Sequence, residues 1–171
     1  MRIQTLQIES PPCLSSGGMP LSDEPIELDA FTQGCVDSLS RWFEEGWRQR
    51  NFDLIDDLFA PEFLAEGGAS GRLDRLGYKT YCKRIIDMNP DLDTEIVEMV
   101  PAGDIVVSRA RTWGTHTGVV QGIEPSGKSF ETIVTDVWKF DAEGLIVHRT
   151  NAEYDFEYFR EVLGFVPRFK L

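Results

Sequence analysis

Histidine is scarce in this chain: its 171 residues include two, His116 and His148. Cysteine is nearly as rare. Cys13, Cys35 and Cys82 are odd in number and widely spaced. They form neither a disulfide framework nor a CxxC metal pair, and a reduced, cytoplasmic setting is expected. Basic residues are outnumbered, 17 against 29 acidic ones, for a formal net charge of -12. That balance argues against nucleic acid and against anionic membrane surfaces as partners. No apolar run approaches the length of a membrane span. Arg2 is followed by "IQTLQIES", too short and too polar for the apolar core of a signal peptide. Several chemistries also lack their motifs. There is no HExxH and no GxSxG. "GVVQGIEPSGK" lacks P-loop spacing, and "EGGASGRLDRLG" is a loop without the dinucleotide fingerprint. No metal and no organic cofactor are therefore expected.

What is present is enough apolar and aromatic material for one core, 42% and 11% of residues. Residues 1–25 are rich in Pro, Ser and Gly and read as a flexible tail or arm; residues 26–171 read as a single domain. Cys35, Leu39, Trp42, Phe43 and Gly46 mark one face of a helix. "NFDLIDDLFAPEF" predicts a short helix capped by Asn51 and stopped by Pro61, followed by a Gly-rich loop. A third helix carries Tyr78, Tyr81, Cys82, Ile85 and Met88 on one side and ends before Pro90. The period then changes to two. "TEIVEMV", "IVVSRARTWGTHTG", "KSFETIVTDVWKF" and "LIVHRTNAEY" predict antiparallel strands, and "DFEYFREVLG" a final helix from Asp155 to Gly164. Helices, then a run of strands, then a helix is an α+β pattern in which helices cover one face of a curved sheet.

The segments "NFDLIDDLFAPEF", "NPDL", "AGDIVVSR", "GTHTG", "GIEPSGK", "TDVWKF" and "AEGLIV" occur in that order. In order and spacing they resemble the SnoaL-like polyketide cyclase (ester cyclase) family of the NTF2-like superfamily. The resemblance implies a cone in which N-terminal helices sit inside a curved antiparallel sheet around an internal cavity. It implies a cofactor-free cyclase or isomerase acting by acid–base catalysis on a small apolar, carbonyl-bearing metabolite such as a polyketide. It also implies a homodimer formed through the outer face of the sheet. The family's acid/base aspartate falls on Asp136 and its "GTHTG" histidine on His116. Two departures stand out. The last strand often carries a Glu and a Trp two residues apart where this chain has His148 and Thr150. A polar residue common near "APEFLAE" falls at Ala65 or Glu66.

Read without the resemblance, Asp136 shares a strand face with Thr132, Val134, Trp138 and Phe140. That mostly apolar face should look inward, where desolvation raises a carboxylate's pKa toward the range useful to a general base. The alternative is an Asp that bonds a neighbouring strand or faces water. His116, among the small residues Ala110, Thr112 and Gly114, can assist Asp136 or can bond a backbone carbonyl or threonine hydroxyl at a strand end. His148 alternates with Ile146 and Thr150, with Arg149 on the opposite face. The resemblance puts the His148 face toward the cavity, where His148 is a candidate acid paired with Asp136; the alternative is exposure at a sheet edge. Arg109 and Arg111 read as structural ion-pair partners. Tyr81, Trp138, Phe59, Glu66, Thr150 and Trp113 are candidate substrate contacts. Two other functions stay open: an epoxide hydrolase, with a water held between carboxylates beside an Arg, and a non-catalytic ligand-binding or association domain.

Overall fold

The computed structural model describes residues 27–67, 71–119, 122 and 124–151. The predicted N-terminal tail and C-terminal helix lie outside them. Helix α1 spans Ala30–Arg41 and starts at Asp29, whose carboxylate accepts from the backbone N–H of Thr32 at 2.8 Å. It continues into a π-helical stretch, Trp42–Arg48. There Trp42 and Gly46 meet closely: a Cβ on Gly46 would come within 2.2 Å of the indole ring. Cys35, Leu39, Trp42, Phe43 and Gly46 are all buried, so the predicted apolar face is the one that packs.

The "NFDLIDDLFAPEF" segment is helical only to Leu58, as a 3-10 turn at Phe52–Leu54 and helix α2 at Ile55–Leu58. The Asn51 side chain makes no capping bond. Pro61 does not merely stop a helix: it lies within strand β1, Phe59–Glu66. The strand tolerates it because its register with the neighbouring strand β6 (Ile146–Asn151) is interrupted between Phe59 and Leu64, while β2 (Leu73–Asp74) pairs only with Leu64 and Ala65. No partner needs the missing N–H there. Helix α3, Arg75–Met88, is capped by Asp74, which accepts from Gly77 N–H at 2.7 Å.

Four further strands follow: β3 at Asp93–Ala102, β4 at Ile105–Thr115, β5 at Ser129–Phe140 and β6 at Ile146–Asn151. The sheet order is β2-β1-β6-β5-β4-β3. The sheet is curved and unclosed, with the helices on its concave side. It is mixed, not purely antiparallel, because β1 runs parallel to β6. An aromatic cluster joins the layers. Phe59 meets Trp42, Phe63 and Trp138 edge-on, with centroids 5.1, 4.8 and 6.4 Å away, and Tyr78 at a tilt. Each such pair contributes about 0.5–1.5 kcal/mol beyond area burial.

Candidate active site

Asp136 is on the concave face, 4% exposed, on the same side of β5 as the buried Trp138 and Phe140. Ser108 stands opposite it on β4, and Trp138 Nε1 donates to the Ser108 hydroxyl at 2.8 Å. From the other neighbouring strand, β6, two side chains reach the carboxylate. Arg149 Nη2 lies 2.8 Å from Oδ1, and Asn151 Nδ2 donates to the same oxygen at 2.9 Å. The carboxylate is bonded to side chains of the next strand, and its setting is ionic as well as apolar.

Arg149 is the residue that the sequence places on the wrong face. Lys139 pairs with His148 but Phe140 pairs with Ile146, so Val147 is an extra residue in β6. This β-bulge resets the alternation. Ile146, Arg149 and Asn151 turn inward, and His148 and Thr150 turn outward. The cavity-facing orientation expected of His148 and Thr150 is thereby reversed. On the convex side His148 Nε2 lies 3.0 Å from Glu66 Oε2, Thr150 Oγ1 lies 3.4 Å from His148 Nδ1, and Arg72 pairs with Glu66 at 3.0 Å. Glu66, His148 and Thr150 thus form one cluster, with the sheet between it and Asp136. At the position alternative to Glu66, Ala65 is buried and sits opposite Arg149 across the β1–β6 pairing.

The guanidinium of Arg149 lies over two ring faces, 5.4 Å from the centroid of Tyr78 and 5.6 Å from that of Trp138. Burial opposes its charge, but Tyr78 and Asp136 outweigh that, so its pKa is held above the ordinary value. Tyr78 stacks on the half-buried Tyr81, centroids 6.3 Å apart. Burial pushes the Tyr78 phenol well up and the neighbouring Cys82 thiol up to about 12, so both are neutral at pH 7. Of the predicted residues, the fold gathers Asp136, Trp138, Phe59 and Tyr81 on the concave side.

His116 is elsewhere. It follows β4 by one residue, eight positions along the chain from Ser108, the residue opposite Asp136, or roughly 25 Å along the strand at ~3.3 Å per residue. Its ring is fully buried, and Nδ1 accepts from Ser126 N–H at 3.2 Å. The flanking glycines serve close packing. Thr117 and Gly118 donate their N–H groups to Met88 O at 3.1 and 2.9 Å, and a Cβ on Gly118 would stand 1.9 Å from Asp87 O. "GTHTG" clips the end of β4 to the end of α3. Trp113 is on the convex face beneath Arg111, 5.3 Å from its centroid. Arg109 and Arg111 pair with Glu98 and Glu95 at 3.1 and 3.0 Å.

A cleft of about 480 Å³ opens elsewhere, lined by Glu44, Arg48, Gln49, Arg50, Asp91, Leu92 and Asp93. Most of its charged side chains are already engaged: Arg48 bridges Glu44 and Asp93, and Asp91 accepts from Thr115 N–H. Among the described residues no group of three or more His, Cys, Asp or Glu is arranged to hold a metal ion, and no helix is long and apolar enough to cross a membrane.

The fold is similar to several solved structures. A putative SnoaL-like polyketide cyclase from Jannaschia sp. CCS1 matches with a TM-score of 0.71 at 21% identity, over 84% of this chain and 100% of that one. TsrD from Streptomyces laurentii matches with a TM-score of 0.66 at 22% identity, over 81% and 98%. AclR from Streptomyces galilaeus, a putative hydroxylase, gives 0.63 at 16% identity, over 81% and 83%. No curated protein sequence matches the chain. Residues 37–157, well over half the chain and including the whole sheet, match the description of one family, and the chain belongs to it: the SnoaL-like polyketide cyclases.

Proposed function

We propose that the protein is a cofactor-independent cyclase or isomerase in which Asp136 is the general base and acid. The observation that carries this is the setting of Asp136. It is a nearly buried carboxylate on the concave face, among Trp138, Tyr78 and Arg149, with both of its hydrogen bonds from described residues on Oδ1. Oδ2 is left to carry a proton. Asp136 removes an acidic C–H proton next to a carbonyl; the electron pair of that bond forms the C=C bond of an enolate, and the carbonyl π pair moves onto the oxygen. In a ring closure the resulting carbanion attacks a second carbonyl of the same molecule. The new C–C bond forms, and the alkoxide takes the proton back from Asp136. Arg149 and Asn151 position the carboxylate by fixing one oxygen. The substrate is a small, largely apolar molecule, in keeping with the aromatic surroundings.

The test is exchange of the acidic C–H protons of simple 1,3-diketones in D₂O, followed by NMR. Wild-type protein should accelerate exchange, and Asp136→Asn should lose about 10²–10⁴-fold of that acceleration while remaining folded. Undiminished exchange by the variant would sink the proposal.

The hydrolytic alternative gains one supporting feature, an Arg beside Asp136, supplied by Arg149 instead of Arg109 or Arg111. It needs a second carboxylate on the water, and among the described residues Asp136 is the carboxylate paired with Arg149.

A further inference from the structure

We propose that Arg149 is itself a catalytic residue, the donor that receives the substrate oxygen as it becomes negative. The substrate class is then an enolisable ketone or ester whose carbonyl oxygen rests against the guanidinium. This deepens the proposal that Asp136 is the base and rests on it.

Three features of Arg149 support the assignment. First, its donors exceed its acceptors. A guanidinium presents five N–H groups. Among the described residues Nη2 is matched by Asp136, while Nε is buried without an acceptor. Arg149 as a whole is 9% exposed, and an unmatched donor on a buried cation is costly unless something arrives to accept it. Second, its neighbours are unequal in size. Along the sheet Trp138 stands opposite it on β5, and Ala65 stands opposite it on β1. The methyl of Ala65 fills little of the concave face beside the guanidinium, and the Arg149 side chain keeps 11% of its surface open. Third, its orientation is set. The rings of Tyr78 and Trp138 support the planar group, and Asp136 holds one end. A preorganised donor that needs no rearrangement when charge develops is what stabilises an oxyanion.

The two residues divide the step between them. The C–H bond breaks and its proton goes to Asp136. Its electron pair becomes the C=C bond of the enolate, and the carbonyl π pair becomes the charge on oxygen. Arg149 donates hydrogen bonds to that oxygen and keeps its own protons, since guanidinium does not deprotonate in proteins.

The experiment uses 2-naphthol, whose ionised and neutral forms differ in fluorescence and whose naphtholate imitates an enolate. Binding is measured on Asp136→Asn and on Asp136→Asn/Arg149→Met. The paired design avoids leaving a buried carboxylate without its cation, and circular dichroism confirms folding. Asp136→Asn should prefer the naphtholate, and the double variant should bind it about tenfold or more weakly. Equal naphtholate binding by the two variants would overturn the proposal, as would binding of the neutral form alone or of neither form. Naphtholate binding that depends on Arg149, in a wild-type protein that exchanges no C–H proton, would overturn the role of Asp136 while supporting oxyanion recognition by Arg149.

Discussion

Arg149 and Asp136 face each other across β5 and β6 at 2.8 Å, with side chains 11% and 6% exposed. Asp136→Asn keeps an acceptor oxygen for Arg149, but a pair this enclosed cannot lose its cation quietly. Arg149→Met alone should destabilise the fold by about 3–5 kcal/mol, because the remaining carboxylate is stranded. Asp136→Asn/Arg149→Met should recover much of that loss. Urea denaturation of the two singles and the double gives the coupling directly, and strictly additive losses would mean the contact contributes nothing.

His116→Ala should lower stability by about 2–3 kcal/mol, through a lost hydrogen bond and an emptied ring site. C–H exchange per folded molecule should stay near wild type, because the ring is roughly 25 Å along the strand from Asp136. A folded variant without exchange activity would return His116 to the active site.

Two glycines should respond with opposite sign. Gly118→Ala forces a methyl against Asp87 O and should cost about 1–3 kcal/mol. Gly34→Ala meets nothing within 4 Å on α1 and should stabilise by about 0.5–1 kcal/mol. Thermal melts of the two variants settle both signs.

Cys82 gives the protein a weakness in alkali. Its thiol has an ordinary pKa of 9.0 and is pushed up to about 12 by burial. Above pH 9 the unfolded chain gives up this proton and the native one keeps it. The native state therefore binds more protons, and stability falls as pH rises from about 9 toward 12. Below pH 9 the contribution is intact. Comparing wild type with Cys82→Ala by urea denaturation across that range should show a shallower decline in the variant.

The helices and long strands were legible in the sequence because their periods are strong. The face of α1 and the inward set on β5 follow directly from spacing of 3.6 and 2. What was not legible was local. Pro61 resembles a helix stop and is tolerated in β1 because of a register break that depends on which strand lies alongside. The inward turn of Arg149 depends on one extra residue in β6. Its trace in the sequence is faint: "LIV" is three apolar residues in a row where clean alternation would put a polar one. Tyr78 and Ser108 gave no distinguishing signal, since an aromatic at helical spacing and a serine in a strand are ordinary core material.

The bulge at Val147 has an evolutionary implication. The last described strand carries two alternative sets of polar groups, Arg149 with Asn151 and His148 with Thr150, and the bulge selects which set meets the interior. Moving that single irregularity past Asn151, with no exchange of active-site residues, would present an imidazole and a hydroxyl to Asp136 in place of a cation and an amide. A change that relocates this bulge is thus a short mutational route from one chemistry to another on the same scaffold. Within such a lineage the register of this strand is a heritable trait in its own right.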